Sequence, residues 1–475
     1  MDKRYDIVIV GSGPNGLSAG IALSQKGLKV LIIEAADAVG GGTRTAELTL
    51  DGFHHDVCSA VHPMGYLSPY FKTLPLEKFG LEWIIPEASV AHPLNGEEAV
   101  LLSKSIDATA QNLGIDSGAY KKLITPFVAK ADGLLKDSLK PLGFPSNPLL
   151  FMRFGLKAFQ PASFFAKNAF KEERARALFA GCTAHSVLPF EKFFTTAIGL
   201  LFLVTGHVEN WAMPKGGSQN IAKALAGYFR SLGGEFLLAT KITDYRQLPE
   251  AKKYIFDTDP AQLASIAKDR LPVSYQNKLK NYRYGPGVFK IDYALNGPVP
   301  WSDASCLKAS TVHVGGTFKE IAASEKETWE GRHSKTPFVL LSQQSQFDPT
   351  RAPEGKHTGW AYCHVPNGSN VDMTPFIENQ IERFAPGFKD IVLAKNTMDT
   401  GDFYRYNPNY LGGAITGGAS DIFQLFSRPV SLFDPYSTAH PNIFICSASS
   451  PPGGGVHGMC GFYAAKSVLK SLDIE

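Results

Sequence analysis

Three glycines and one acid carry the most legible chemistry of this chain. Gly11, Gly13 and Gly16 stand in the pattern G-x-G-x-x-G, and Glu34 follows them. That spacing suits a nucleotide pyrophosphate: Gly11 allows a tight turn, Gly13 lets the backbone approach the phosphates, and Gly16 lets a helix pack closely on the strand before it. Pro14 and Asn15 fill the turn, and proline is tolerated at a helix start because no N–H is needed there. Glu34, with Ala35 after it, stands about 20 residues on, where a carboxylate can receive a ribose hydroxyl. An acid there disfavours a 2′-phosphate, which leaves NAD or FAD. The elements that must position these residues are equally plain. Residues 7–10 form an unbroken apolar run, as for a strand buried on both faces. Leu17, Gly20, Ile21 and Ser24 then recur at helical spacing, Gly27 is placed to stop the helix, and residues 30–33 form a second apolar strand.

Beyond Glu34 comes Gly40-Gly41-Gly42-Thr43-Arg44-Thr45. With this glycine run the chain resembles a large group of flavoproteins, the amine oxidases, phytoene desaturases and their relatives. The segments AHSVLPF at 184–190, YGPGVFKIDYAL at 284–295 and PPGGGVHGMCG at 451–461 extend the resemblance over essentially the whole chain, to phytoene dehydrogenase-related FAD oxidoreductases. It implies FAD, with the glycine pair Gly40-Gly41 letting backbone run along the pyrophosphate and ribityl chain, Gly42 also beside the cofactor, and Thr43 helping to anchor it. Many members carry Arg directly after the glycine pair. Here that place is Gly42, so Arg44 is read as a pyrophosphate contact, with a solvated loop charge as the alternative. The resemblance also puts residues 51–63 beside the flavin, making Asp56, His55 and His62 candidate active-site wall residues, or else core and loop groups. Their spacing fits no standard ligand set, and no metal is expected.

The chain has 475 residues, more than one compact core holds, and two domains are expected. A net charge of +3 without a basic block gives no argument for nucleic acid. Six scattered cysteines with no C-x-x-C point to reduced thiols and a cytoplasmic location. No signal peptide is expected before the first strand. The most apolar stretch, residues 195–204, is too short to span a bilayer. Residues 147–170 interleave apolar side chains with Arg153, Lys157 and Lys167, which suits a helical core, a cap on an apolar pocket, or peripheral contact with a membrane surface.

At residues 212–218 the chain is expected to return to the first domain. A helix with Ser218 as N-cap and Gly233-Gly234 as terminator leads into a strand over 235–242, and the resemblance assigns Ile242 a backbone contact with adenine. Residues 288–295 read as a strand with Phe289, Ile291, Tyr293 and Leu295 on one face and Lys290 with Asp292 on the other. By resemblance Lys290 would hold a water at flavin N5, stabilising reduced flavin; a Lys290–Asp292 surface pair is the alternative. Tyr362 and His364 share a face of a further strand. No second G-x-G-x-x-G with its strand and acid occurs, so one dinucleotide is expected. A strand over 442–446, a glycine loop and a helix opening at Val456 end the chain. By resemblance Gly455, Val456, His457, Gly458 and Met459 face flavin N1 and the C2 carbonyl, and His457 touches flavin or substrate, or is a loop histidine bonded to backbone.

The expected fold is α/β, a Rossmann-like FAD-binding domain (1–65, 206–261 and 401–475) interleaved with an α+β substrate domain (66–205 and 262–400). The expected activity is FAD-dependent oxidation of a small hydrophobic organic substrate, with Lys290, His457, His62 and Asp56 as candidate catalytic residues and oxygen or a quinone as electron acceptor. A non-catalytic interaction protein on the same fold, as Rab GDP-dissociation inhibitors are, is the alternative.

Overall fold

The computed structural model describes residues 5–425, 427–431 and 433–474; residues 1–4, 426, 432 and 475 of the expected FAD-binding segments lie outside them. Five parallel strands stand in the order Ile443–Ile445, Ala251–Phe256, Tyr5–Val10, Val30–Ile33, Glu235–Leu237. Both faces of this sheet are covered, which is why its strands are apolar without alternation. Ile7, Ile9, Val30, Ile32 and Ile255 pack under the helices Pro14–Ser24, Gln219–Ser231 and Met459–Lys470. Val8, Val10, Leu31, Ile33 and Phe256 pack on the other side, against Leu263, Ala264 and Leu279. Those last three belong to the helices Pro260–Ile266 and Val273–Lys280, so the expected domain boundary at 262 cuts through a segment whose apolar side chains cover the dinucleotide sheet.

A second sheet has seven strands in the order Val392–Met398, Gly287–Leu295, His357–Val365, Val339–Ser342, Ala309–Val314, Ala88–Leu94, Glu97–Leu102. All its pairs are antiparallel except Ala309–Val314 with Ala88–Leu94. One face carries a helical layer, in which Tyr120, Phe127, Phe179 and Leu203 pack on Val90, Val100, Leu102 and Leu340. The other face is covered by Ile377 and Ile381 of the helix Thr374–Phe384. Among the described residues no helix is long and apolar enough to cross a membrane. All six cysteines are buried and unbridged.

Three local expectations change. The strand expected over 235–242 ends at Leu237, because Ala239 has a left-handed backbone (φ +50°). The chain nevertheless stays beside the first βα unit, with Ala239 N–H donating to Ala36 O at 2.8 Å and Thr240 N–H to Glu34 O at 2.9 Å. Ser218 does not cap its helix through its hydroxyl; that group donates to Ser59 O at 2.7 Å. Asp56 and Thr45 do the capping from another segment, accepting from Ser218 N–H (2.7 Å) and Gln219 N–H (3.1 Å). The closing helix opens at Met459 rather than Val456, after Gly458 in a left-handed conformation.

Candidate functional site

The turn after the first strand is built from backbone alone. A Cβ at Gly16 would stand 2.2 Å from Gly11 O, and one at Gly13 would stand 2.7 Å from an Asp257 carboxylate oxygen. Only glycines let strand, turn and helix close to this distance. Asp257, at the carboxyl end of the strand Ala251–Phe256, accepts from Gly16 N–H at 3.0 Å. Burial, with help from the charge of Glu34 and against the Gly16 N–H, pushes its carboxyl up to about 7. Glu34 accepts from Ser12 N–H (2.9 Å), Ser12 Oγ (2.6 Å) and Ala36 N–H (3.0 Å). Its other contact is Arg44 Nη2 at 3.3 Å. Arg44 is therefore not a solvated charge: it also donates to Ala38 O at 2.8 Å, stands 5.5 Å from the centre of the Tyr406 ring, and keeps a buried Nε with no partner.

This turn forms one wall of a cavity of about 1120 Å³, above the range of roughly 300–1,000 Å³ typical of a single small-ligand pocket. Its polar end is lined by Gly11, Gly13, Pro14, Asn15, Glu34, Ala35, Gly41, Gly42, Arg44 and Ile242, and the glycine loop adds Gly455, Val456 and His457. Its other end is apolar, formed by Phe151, Phe154, Ala158, Ile198, Leu201 and Trp211 among others. Chain segments far apart in sequence thus close on one chamber.

Not every expected residue reaches it. Gly16, Thr43, Gly458, Met459, His55, Asp56 and Lys290 do not line the cavity. Gly16 is spent on close packing, and the Thr43 hydroxyl donates to Gly40 O at 2.8 Å. His55 is buried and shares a hydrogen bond with Thr49 Oγ1 at 2.8 Å. Asp56 is fully buried and saturated, accepting from Thr45 Oγ1 (2.8 Å), Ser218 N–H (2.7 Å) and Arg351 Nη2 (2.8 Å). Burial pushes its carboxyl up, but the Arg351 guanidinium and these donors outweigh burial and hold it below the usual range. It ties the hairpin at 45–56 to the helix Gln219–Ser231. Lys290 lies on the expected face of its strand and is paired with Asp292, but the pair is buried, not on the surface. Its ammonium lies 5.8 Å from the centre of the Trp360 ring; Trp360, not Lys290, lines the cavity. The pair is neither exposed nor at the chamber.

His62 and His457 do line it. His62 Nε2 shares a hydrogen bond with Ser218 Oγ at 2.8 Å, and burial pushes the imidazole down to about 4. His457 Nδ1 accepts from Met459 N–H at 3.0 Å, satisfying a free donor at the start of the closing helix; burial pushes it down to about 4 as well. Both rings are neutral near pH 7.

Two site residues escape sequence reasoning. Asp257 carries a signal, since an acid directly after a parallel strand sits where α/β sheets bind ligands. Arg428 carries none. Arg351, Lys290 and Arg428 are each only 1% exposed. The first two pair with Asp56 and Asp292, whereas Arg428 donates to neutral oxygens alone, Tyr282 OH at 2.8 Å and Gly418 O at 2.7 Å, with no ion pair among the described residues. It lines the cavity. A buried charge without a counter-charge is costly, so the natural complement is an anionic ligand. Among the described residues no group of three or more His, Cys, Asp or Glu is placed to hold a metal.

Residues 9–74 match the family model described as NAD(P)-binding Rossmann-like domain. Across nearly full length the chain is 24% identical to the mouse pyridine nucleotide-disulfide oxidoreductase domain-containing protein 2, covering 99% of this chain and 94% of that one. It is 22% identical to a limonene dehydrogenase polypeptide of Castellaniella defragrans (100% and 96%) and 23% identical to the phytoene desaturase of Fusarium fujikuroi (96% and 87%). Among solved structures, an oxidoreductase from Methanosarcina mazei superposes with a TM-score of 0.67 at 15% identity over 98% of this chain and 100% of that one. Putrescine oxidase bound to putrescine gives 0.63 at 18% identity, over 98% and 99%. In sequence the chain is similar to phytoene desaturases and a limonene dehydrogenase polypeptide, and in fold to putrescine oxidase. Within this fold, the cavity joins a dinucleotide cradle to an apolar chamber.

Proposed function

We propose that this protein is an FAD-dependent oxidoreductase that removes hydride from a hydrophobic substrate, by desaturation or by C–N or C–C oxidation, with oxygen or a quinone as the final acceptor. The observation that carries the reading is the single cavity running from the Gly11–Asn15 turn to the phenylalanines of the helical layer. The residues at its polar end fit a dinucleotide: the turn leaves no room for side chains, Arg428 lacks a counter-charge, and Arg44 Nε lacks a partner. FAD, when bound, supplies a hydride acceptor. The chain's own part is to bind, orient and exclude water. Gly13 and Gly41 expose backbone to phosphate, and Glu34, fixed by Ser12, faces the ribose. Neutral His62 and His457 offer ring nitrogens in the cavity without adding charge.

The apolar end favours a terpenoid-like or polyene substrate, in keeping with the names limonene dehydrogenase and phytoene desaturase. An amine would need a free carboxylate there. Asp137, which lines the cavity, is already engaged with Lys140 and with Ser146 N–H at 2.8 Å. The test is direct. Purified protein should be yellow with flavin absorbance, and anaerobic mixing with polyenes or other apolar substrates should bleach it while amines do not. A colourless protein that takes up no FAD returns the reading to an interaction protein on this fold.

A further inference from the structure

The apolar end of the cavity carries a ring nitrogen that no other described residue engages. His185 follows the helix Glu173–Ala184, and of residues 177–190 it alone is not buried. Its accessible part faces the cavity, which it lines. Hydrocarbon flanks the ring: Phe202 stacks on it at 4.4 Å and Trp211 meets it edge-on at 5.7 Å. Its Nε2 shares a hydrogen bond with His313 Nε2 at 3.1 Å. Its Nδ1 has no partner among the described residues and is not sealed off from the cavity. Ser186, the next residue, lines the same cavity, and its hydroxyl is buried without a partner.

The neighbours decide which nitrogen of His185 carries the hydrogen. Burial, with His364 adding to it, pushes His185 down to about 3, and burial holds His313 well below the usual range. Both rings are therefore neutral near pH 7. Each then carries one N–H, and across the 3.1 Å contact one ring donates and the other accepts. His313, on the strand Ala309–Val314, is fully buried. Its Nδ1 lies against the Gly181 backbone, where a Cβ would stand 2.4 Å away, and has no partner. His92, whose ring is 6.5 Å from that of His313, supplies none, because its Nε2–H donates to Gly316 O at 2.7 Å. A hydrogen on His313 Nδ1 would be an orphaned buried donor, which folded proteins avoid. It sits instead on Nε2 and is donated to His185, whose own hydrogen is left on Nδ1, open to the chamber.

We propose that His185 Nδ1–H anchors an oxygen acceptor, a carbonyl, ether or hydroxyl, on an otherwise apolar substrate. A pure hydrocarbon would leave this donor unpaired in an apolar enclosure, so His185 discriminates between substrates of the same skeleton. The inference rests on the proposed function only in taking the chamber as the substrate's place, and it narrows the substrate to an oxygenated terpenoid or lipid.

The test uses two ligands that share a skeleton, limonene and the ketone carvone, titrated calorimetrically into the full-length, FAD-loaded protein. His185→Phe should weaken carvone about tenfold and change limonene by less than about twofold, with FAD content retained. Equal changes for the two ligands overturn the inference, as does failure of the wild-type protein to bind carvone. Histidine-selective NMR of the wild-type protein needs no variant to fold. Carvone should shift one Nδ1–H histidine signal that limonene leaves in place, and absence of that selective shift overturns the inference too. A protein that holds no FAD but keeps the His185-dependent preference retains the anchor and loses the oxidoreductase reading. One whose flavin is bleached by apolar substrates while His185→Phe leaves the ligand preference unchanged keeps that reading and loses the anchor.

Discussion

The two ends of the cavity are made differently. The cradle end is mostly backbone: glycines and a proline form its turn, held by hydrogen bonds of 2.6–3.0 Å around Ser12 and the two acids Glu34 and Asp257. The chamber end is side chain, with Phe151 and Phe154 of the helix Pro148–Ala158 meeting Leu201 of the helix Thr195–Val208. A backbone cradle tolerates almost no change because an added side chain would strike the Gly11 carbonyl or the Asp257 carboxylate. A chamber of hydrocarbon accepts many residues of similar volume. The first therefore fixes the ligand class and the second leaves the substrate open.

That contrast can be broken or sharpened by substitution. The largest effect is expected at neither end, at the Lys290–Asp292 pair. Lys290→Met leaves a buried carboxylate without its cation and should cost about 3–5 kcal/mol of stability, read by denaturant unfolding, with reoxidation of reduced flavin by oxygen unchanged in the folded fraction. A slowed reoxidation at full stability would return Lys290 to the chemistry. In the cradle, Gly16→Ala forces a methyl to 2.2 Å from Gly11 O and should weaken FAD binding by about 3 kcal/mol, over a hundredfold, measured by flavin release on dilution.

Arg428→Met should weaken FAD by about 1.5–3 kcal/mol if the anion it complements is the dinucleotide; an unchanged FAD affinity with a weakened substrate would move that anion to the substrate. Ala158→Leu narrows the chamber and should alter KM for an apolar substrate while holding FAD affinity within about twofold, since volume changes in hydrocarbon stay local. A large loss of FAD would break the contrast.

The smallest effect concerns pH. The Asp257 carboxyl is raised to about 7 from an ordinary 3.8, so its neutral form is the one the fold favours. The stability it contributes is complete below about pH 4 and is lost as pH rises through 7. Dinucleotide affinity should decline a few-fold over the same rise, as a second negative charge develops beside Glu34. Titration calorimetry of Asp257→Asn should give a flatter profile.

Strand, turn, helix and second strand are legible up to Ser24 and Ile33, because local spacing dictates them. Lys290 shows the limit. Its alternation on the strand is readable, but the burial that turns Lys290 and Asp292 into a closed pair comes from Trp360 and the hairpin at 54–56, contributed by distant segments. Asp56 is misplaced by sequence reasoning for the same reason, as Arg351 lies 295 positions away in sequence. Arg428 is invisible to it, since a lone arginine becomes informative only when every neighbour is seen to be neutral.

By itself the sequence determined the dinucleotide turn and the order of elements around it, since glycine geometry and apolar periodicity are local properties of the chain. Tertiary structure alone decided which polar groups stay free to act. It neutralised Asp56 and Lys290, left Arg428 without a counter-charge, and turned His185 into the apolar chamber. Those outcomes depend on which distant side chains meet, and sequence spacing carries no record of that.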